Sequence, residues 1–154
     1  MKTTKIQTLL YIITLLISVL ILVDFIVPGN TYTQKIINVK KKKQQYYNAA
    51  QNYHYSYKVK TEDHQFSVSE QFAKSITTQN IKYSVSIFFK EINKFQLQTS
   101  KKSHTYSFRI LSGLVLPLLV IITLAVTYYR QKRYNTLLFV LQVILIANLI
   151  KLLL

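Results

Sequence analysis

Three uncharged apolar runs, each close to twenty residues long, constrain this chain more than any other feature. They occupy residues 6–23, 110–129 and 134–150, and the third resumes past Lys151 as Leu152, Leu153 and Leu154. A helix rises about 1.5 Å per residue, so some 20 apolar residues cross a hydrocarbon core about 30 Å thick. A core helix in a small soluble protein carries a polar stripe, whereas these runs are apolar on every side. The pattern predicts a membrane protein of mixed α+β type. Transmembrane helices cover 7–27, 109–129 and 136–154, and a water-facing segment lies between the first two.

Lys2 and Lys5 precede the first run, as they would in a signal peptide. Its apolar stretch is longer than a usual h-region, however, and it leaves through Asp24-Phe25-Ile26-Val27-Pro28 with no small-x-small cleavage site. The run reads as an uncleaved anchor, ended by Pro28-Gly29. Cysteine is absent, which removes disulfides, a lipobox and thiolate metal sites.

Between the first two runs the hydrophobic period shifts to two. Residues 28–52 read as a basic polar connector of weak periodicity. Residues 53–108 then read as a small antiparallel β domain, a twisted sheet or half-open barrel. Tyr53, Tyr55, Tyr57 and Val59 alternate with His54, Ser56, Lys58 and Lys60, and Phe66 and Val68 follow the turn Thr61-Glu62-Asp63 as the second arm of a hairpin. Ser69 to Ile76 has the serine start and acidic first turn of a short helix. Strands follow from Ile81 into Phe88-Phe89, at Phe95 to Gln98, and from Thr105 to Phe108. The expected core is aromatic: Tyr55, Tyr57, Phe66, Phe72, Tyr83 and Phe95.

Gly113 and Pro117 stand four residues apart in the second run, where proline cannot donate to the Gly113 carbonyl. A kink is expected there, and the glycine invites close packing of a neighbouring helix. Residues 130–135 form a short basic turn, so the last two helices make an antiparallel hairpin.

The net charge is +15, and thirteen of the lysines lie between Lys35 and Lys102. Such a field favours anionic partners, although charge runs are most often solvated faces. The run Lys40, Lys41, Lys42 and Lys43 is the candidate contact for anionic lipid head groups, each lysine contributing about 1 kcal/mol at a membrane surface. Nucleic acid is not an expected partner. Tyrosines alternating with lysines along a strand point to opposite faces, so the rings build a core and do not stack bases. Orientation is contested. The short turn with Arg130, Lys132 and Arg133 and the flanking Lys2 and Lys5 favour a cytoplasmic N-terminus and an extracytoplasmic domain, while Lys35, Lys40 to Lys43, Lys101, Lys102 and Arg109 on the domain's flanks pull the other way.

No catalytic, metal or cofactor site is expected. His54, His64 and His104 lie at no ligand spacing, the two glycines exclude a phosphate loop, and the carboxylates are scattered among lysines. Within the spans the candidate polar groups are Asp24, Gln142 and Asn148. An acid in a membrane can relay protons, but Asp24 lies close to the helix end. Interhelical hydrogen bonds are the commonest use of the two amides.

Asp24-Phe25-x-x-Pro28-Gly29, the strand Tyr55-Ser56-Tyr57, the stretch from Tyr83-Ser84-Val85-Ser86 to Phe89-Lys90-Glu91, and Ser107-Phe108-Arg109 together resemble small, uncharacterised three-helix inner-membrane proteins of Bacteroidota. The resemblance implies an inner-membrane location and no mechanism. The functional expectation is a non-enzymatic accessory or scaffold subunit of a larger membrane complex, partnered by the bilayer and by other proteins. The alternative is a binding module for an anionic ligand or lipid, and a proton- or ion-handling role for Asp24 ranks last.

Overall fold

A computed structural model describes residues 5–45, 53–76, 80–130 and 135–154. It is α+β: three long apolar helices and two antiparallel sheets. The chain divides into two compact units, one holding Met1–Pro28, Ser86–Glu91 and Phe108–Leu154, the other Gly29–Val85 and Ile92–Ser107.

The helical unit contains α1 (Lys5–Ile26), then α3 (Ser107–Ile110), a π-helical turn (Leu111–Val115) and α4 (Leu116–Arg130) in succession, and finally α5 (Asn135–Leu153). Lys5–Ile26, Ser107–Tyr129 and Thr136–Leu153 are long and apolar enough to cross a membrane, with lengths of 22, 23 and 18 residues. The side chains that α1 buries are Thr14, Ser18, Ile21 and Asp24, spaced at three and four residues and therefore stacked on one face. Leu138, Leu145 and Leu152 repeat every seventh residue on α5 and join Ile21, Val120 and Leu124 in a shared cluster. Large apolar residues such as Leu9, Leu16, Ile122, Phe139 and Val143 remain exposed on the outside.

Where the sequence places a kink, the chain forms the π-helical turn. Leu116 donates its N–H to the Leu111 carbonyl, five residues back. Pro117 has no N–H to offer. The shifted bond and the missing donor together leave the Ser112 carbonyl without an in-helix partner.

The other unit packs two three-stranded sheets around one core. Its strands are β1 (Asn30–Lys35), β2 (Asn38–Gln45), β3 (Tyr53–Lys60), β4 (Gln65–Val68), β5 (Asn80–Val85) and β6 (Ile92–Leu97), with α2 (Glu70–Lys74) between β4 and β5. One sheet runs β1-β5-β6 and the other β2-β3-β4. The β3–β4 hairpin forms where the alternation predicts it, and Ser69 caps α2 by accepting the Phe72 N–H at 3.2 Å.

Four expectations are corrected. The domain is two sheets instead of a single twisted sheet or half-open barrel. The supposed connector contributes β1 and β2, since a strand needs ladder partners more than it needs its own apolar residues; residues 46–52 lie outside the described residues. The strand read as running into Phe88-Phe89 ends at Val85, where the ladder with β6 shifts register. Thr105 to Phe108 is not a strand: only His104 bridges to Phe95, and helix begins at Ser107.

The core side chains include Tyr57, Val59, Phe66, Phe72, Ile81, Tyr83 and Phe95. Tyr55, expected among them, stays 37 % exposed, with Lys41 Nζ 3.8 Å from its ring centroid.

Candidate functional site

Two constellations stand out, one in each unit. In the helical unit, Asp24 is the single charged residue between Lys5 and Lys35. It is 1 % exposed and lies in the last turn of α1. Arg109, in α3 and 4 % exposed, places Nη2 3.0 Å from Asp24 Oδ2. The antiparallel passage of the two helices brings these residues to the same depth.

Asp24 also accepts backbone amides from the loop Ser86–Glu91. Ser86 N–H donates to the Glu91 carbonyl at 2.8 Å, Glu91 N–H donates to Ser86 Oγ at 3.0 Å, and Lys90 turns left-handed at φ 56°. The closed loop aims the N–H groups of Phe88 and Phe89 at Asp24 Oδ1, at 2.7 and 3.3 Å. One carboxylate thus ties α1, α3 and the loop together. A pair of opposite charges taken out of water needs further hydrogen bonds to hold its place, and on the Asp24 side the two loop amides supply them.

Gly113 lies beside this lock. A Cβ built at Gly113 would meet Phe25 Cδ2 at 2.6 Å and Phe25 Cβ at 3.1 Å, so the glycine is what lets α1 approach. Arg109 itself stands with its guanidinium carbon 5.7 Å from the Phe25 ring centroid. Deeper in the unit, Asn148 Nδ2 donates to the freed Ser112 carbonyl at 3.1 Å, and Gln142 Nε2 donates to Thr14 Oγ1 at 2.9 Å. Each sequence-nominated amide therefore bridges two helices.

The second constellation is the outer face of the sheet β2-β3-β4. In an antiparallel register, directly opposed residues share a face. Val39 opposes Val59 and Lys41 opposes Tyr57, and Val59 and Tyr57 are buried, so these pairs point inward. The other face carries Asn38 opposite Lys60, Lys40 opposite Lys58, and Lys42 opposite Ser56, with Ser67 and Gln65 beyond on β4. Four exposed lysines, Lys40, Lys42, Lys58 and Lys60, share one face of two neighbouring strands, and β2, β3 and β4 contain no acid. The run Lys40 to Lys43 is not one patch, because the pleat divides it in two.

Lysines on an edge strand such as β2 also keep it from pairing with another chain. Blunting an edge does not require Lys58 and Lys60 on the central strand. Directly opposed like charges are destabilising, so Lys40 against Lys58 is a local cost to the fold.

Inside this unit Tyr83 ties the two sheets. Its hydroxyl donates to Gln34 Oε1 at 2.6 Å, meets His64 Nδ1 at 2.9 Å and lies 3.3 Å from Thr61 Oγ1. Gln34 Nε2 in turn donates to Asp63. Burial pushes the Tyr83 hydroxyl pKa above its ordinary value, more than the Thr61 hydrogen bond lowers it. At the surface, Lys74 at 2.8 Å holds the Glu70 carboxyl below its usual range.

Among the described residues, no three of His, Asp and Glu gather as metal ligands. His64 is engaged with Tyr83, and His104 packs on Phe95 and Phe72. The His54 side chain and residues 131–134 of the basic turn lie outside the described residues. Arg109 is the residue that the sequence reading missed, counted there only as a flanking cation. The signal was present: one acid and one base, each a few residues inside the same end of two antiparallel apolar helices. Compared with known proteins, the chain matches no family model, no curated protein and no solved structure.

Proposed function

We propose that this chain is a non-enzymatic, multi-pass membrane protein, an accessory or scaffold subunit that presents a cationic β domain to an acidic face of a larger complex. The observation that carries this reading is the four-lysine outer face of β2 and β3. Its charge is concentrated where the fold bears a like-charge cost, and an anionic partner relieves that cost. The helical unit supplies the anchor. Its polar groups are spent on each other: Asp24 on Arg109 and the loop amides, Gln142 on Thr14, and Asn148 on Ser112. That pattern supports a rigid support more than a proton path.

The proposed location is the inner (plasma) membrane, with the N-terminus in the cytoplasm and the β domain outside. Pairing with Asp24 removes Arg109 from the cations that compete with the Arg130–Arg133 turn, which supports that orientation. Extraction in a mild detergent tests the main reading. The protein is expected to migrate in an assembly larger than one chain that disperses at high salt. A single-chain particle at every salt concentration would sink the idea.

The same lysine face supports a second reading, a module that binds an anionic lipid surface. Co-sedimentation with vesicles discriminates the two: binding to anionic but not neutral vesicles, at physiological salt, favours the lipid.

A further inference from the structure

The second and third spans leave an apolar groove between them, with a volume of about 400 Å³. Leu111, Val115, Leu119, Ile144 and Ala147 line it. From Phe108 to Leu119 the groove follows about 16 Å of helix, close to half of a hydrocarbon core about 30 Å thick. One end carries a charge. Lys151, on the last turn of α5, stands with Nζ 3.8 Å from the Phe108 ring centroid. It belongs to neither of the two ion pairs among the described residues, Lys74–Glu70 and Arg109–Asp24.

We infer that this groove is a binding site for one anionic phospholipid, whose acyl chain lies along Val115, Leu119 and Ile144 and whose head group meets Lys151. The inference rests on the reading of the helices as membrane spans. Charge complementarity selects the occupant. A groove one leaflet deep and apolar along its length takes a hydrocarbon chain, and a cation at its interfacial end selects a head group with net negative charge. Arg109, the nearest other cation of this end in sequence to Phe108, is committed to Asp24. Phe108 holds the ammonium group at the mouth by a cation–π contact while its own ring forms part of the apolar wall. The site is separate from the lysine face of the β domain and shares no residue with it.

The test is a native mass spectrometric titration of the full chain in detergent with phosphatidylglycerol or phosphatidylcholine. One tightly retained phosphatidylglycerol is expected, with phosphatidylcholine retained several-fold less. K151Q should weaken phosphatidylglycerol by about fivefold, which is what one lysine near an anionic surface contributes. K151R should restore it, and A147F, which fills the groove, should weaken both lipids. Equal retention of both lipids, or a K151Q chain that binds like the parent, would overturn the site while leaving the spans intact. Occupation by a second copy of the chain in place of lipid would overturn it as well. A chain that stays monodisperse without detergent would overturn the site and the spans together.

Discussion

Arg109 reaches across from α3 to Asp24 near the end of α1, at 3.0 Å, and both side chains are almost entirely buried. Removing one partner of such a pair strands the other in a medium that cannot solvate it. Asp24→Leu is therefore expected to destabilise the helical unit by about 3–5 kcal/mol. The double variant Asp24→Leu/Arg109→Leu should recover most of that loss. Thermal unfolding of the four chains of this cycle in one detergent gives the coupling, and additive losses would refute the lock.

Gly113 is placed against Phe25, and a methyl group there meets a ring atom at 2.6 Å. Gly113→Ala should cost about 1–3 kcal/mol through overpacking. Shortening the ring with Phe25→Leu in the same chain should return part of it. The same unfolding assay reports both values.

Asn148 replaces the donor that the helix lacks at Pro117. Asn148→Ala leaves the Ser112 carbonyl unmet and should cost roughly 1 kcal/mol. If Pro117 is what frees that carbonyl, Pro117→Ala should restore regular α-helix and make Asn148→Ala nearly neutral. Undiminished cost in the Pro117→Ala background would mean that the π-helical turn has another cause.

Tyr83 gives the β domain an alkaline limit. Its folded pKa is raised above the ordinary tyrosine value near 10, so its neutral form is favoured by folding. The contribution is complete below pH 10 and falls away as the pH climbs through the raised value. Tyr83→Phe should flatten that loss and, by removing the bonds to Gln34 and His64, cost about 1 kcal/mol at neutral pH. Stability against pH from 8 to 12, followed by near-ultraviolet dichroism, checks both.

The sequence made some elements plain and hid others for identifiable reasons. Apolar run length carries the three helices, since nothing else of that length remains uncharged. Period-two alternation carries the β3–β4 hairpin, and Ser69 marks the start of α2. Strand β2 was hidden because its inward positions are Val39, Lys41 and Lys43: only one is apolar, and Lys41 lies over the Tyr55 ring instead of filling the core. Strand β1 presents only Tyr32 and Gln34 inward and depends on pairing with β5. The Asp24 site was half legible. The acid was visible as an exception, but its partners lie 64, 65 and 85 residues away, a distance that local pattern cannot span.

The central claim is that the outer lysines of β2 and β3 form the docking face. Charge reversal tests it most directly, using Lys40→Glu/Lys58→Glu, which also turns a repulsive cross-strand pair into a like-charged acidic one and so keeps the fold's own cost similar. The native size of the detergent-extracted protein is measured for both chains at physiological salt. We expect the parent chain in a larger assembly and the reversed chain released as a single-chain particle with unchanged thermal unfolding. A reversed chain that stays in an assembly of the same size would contradict the claim.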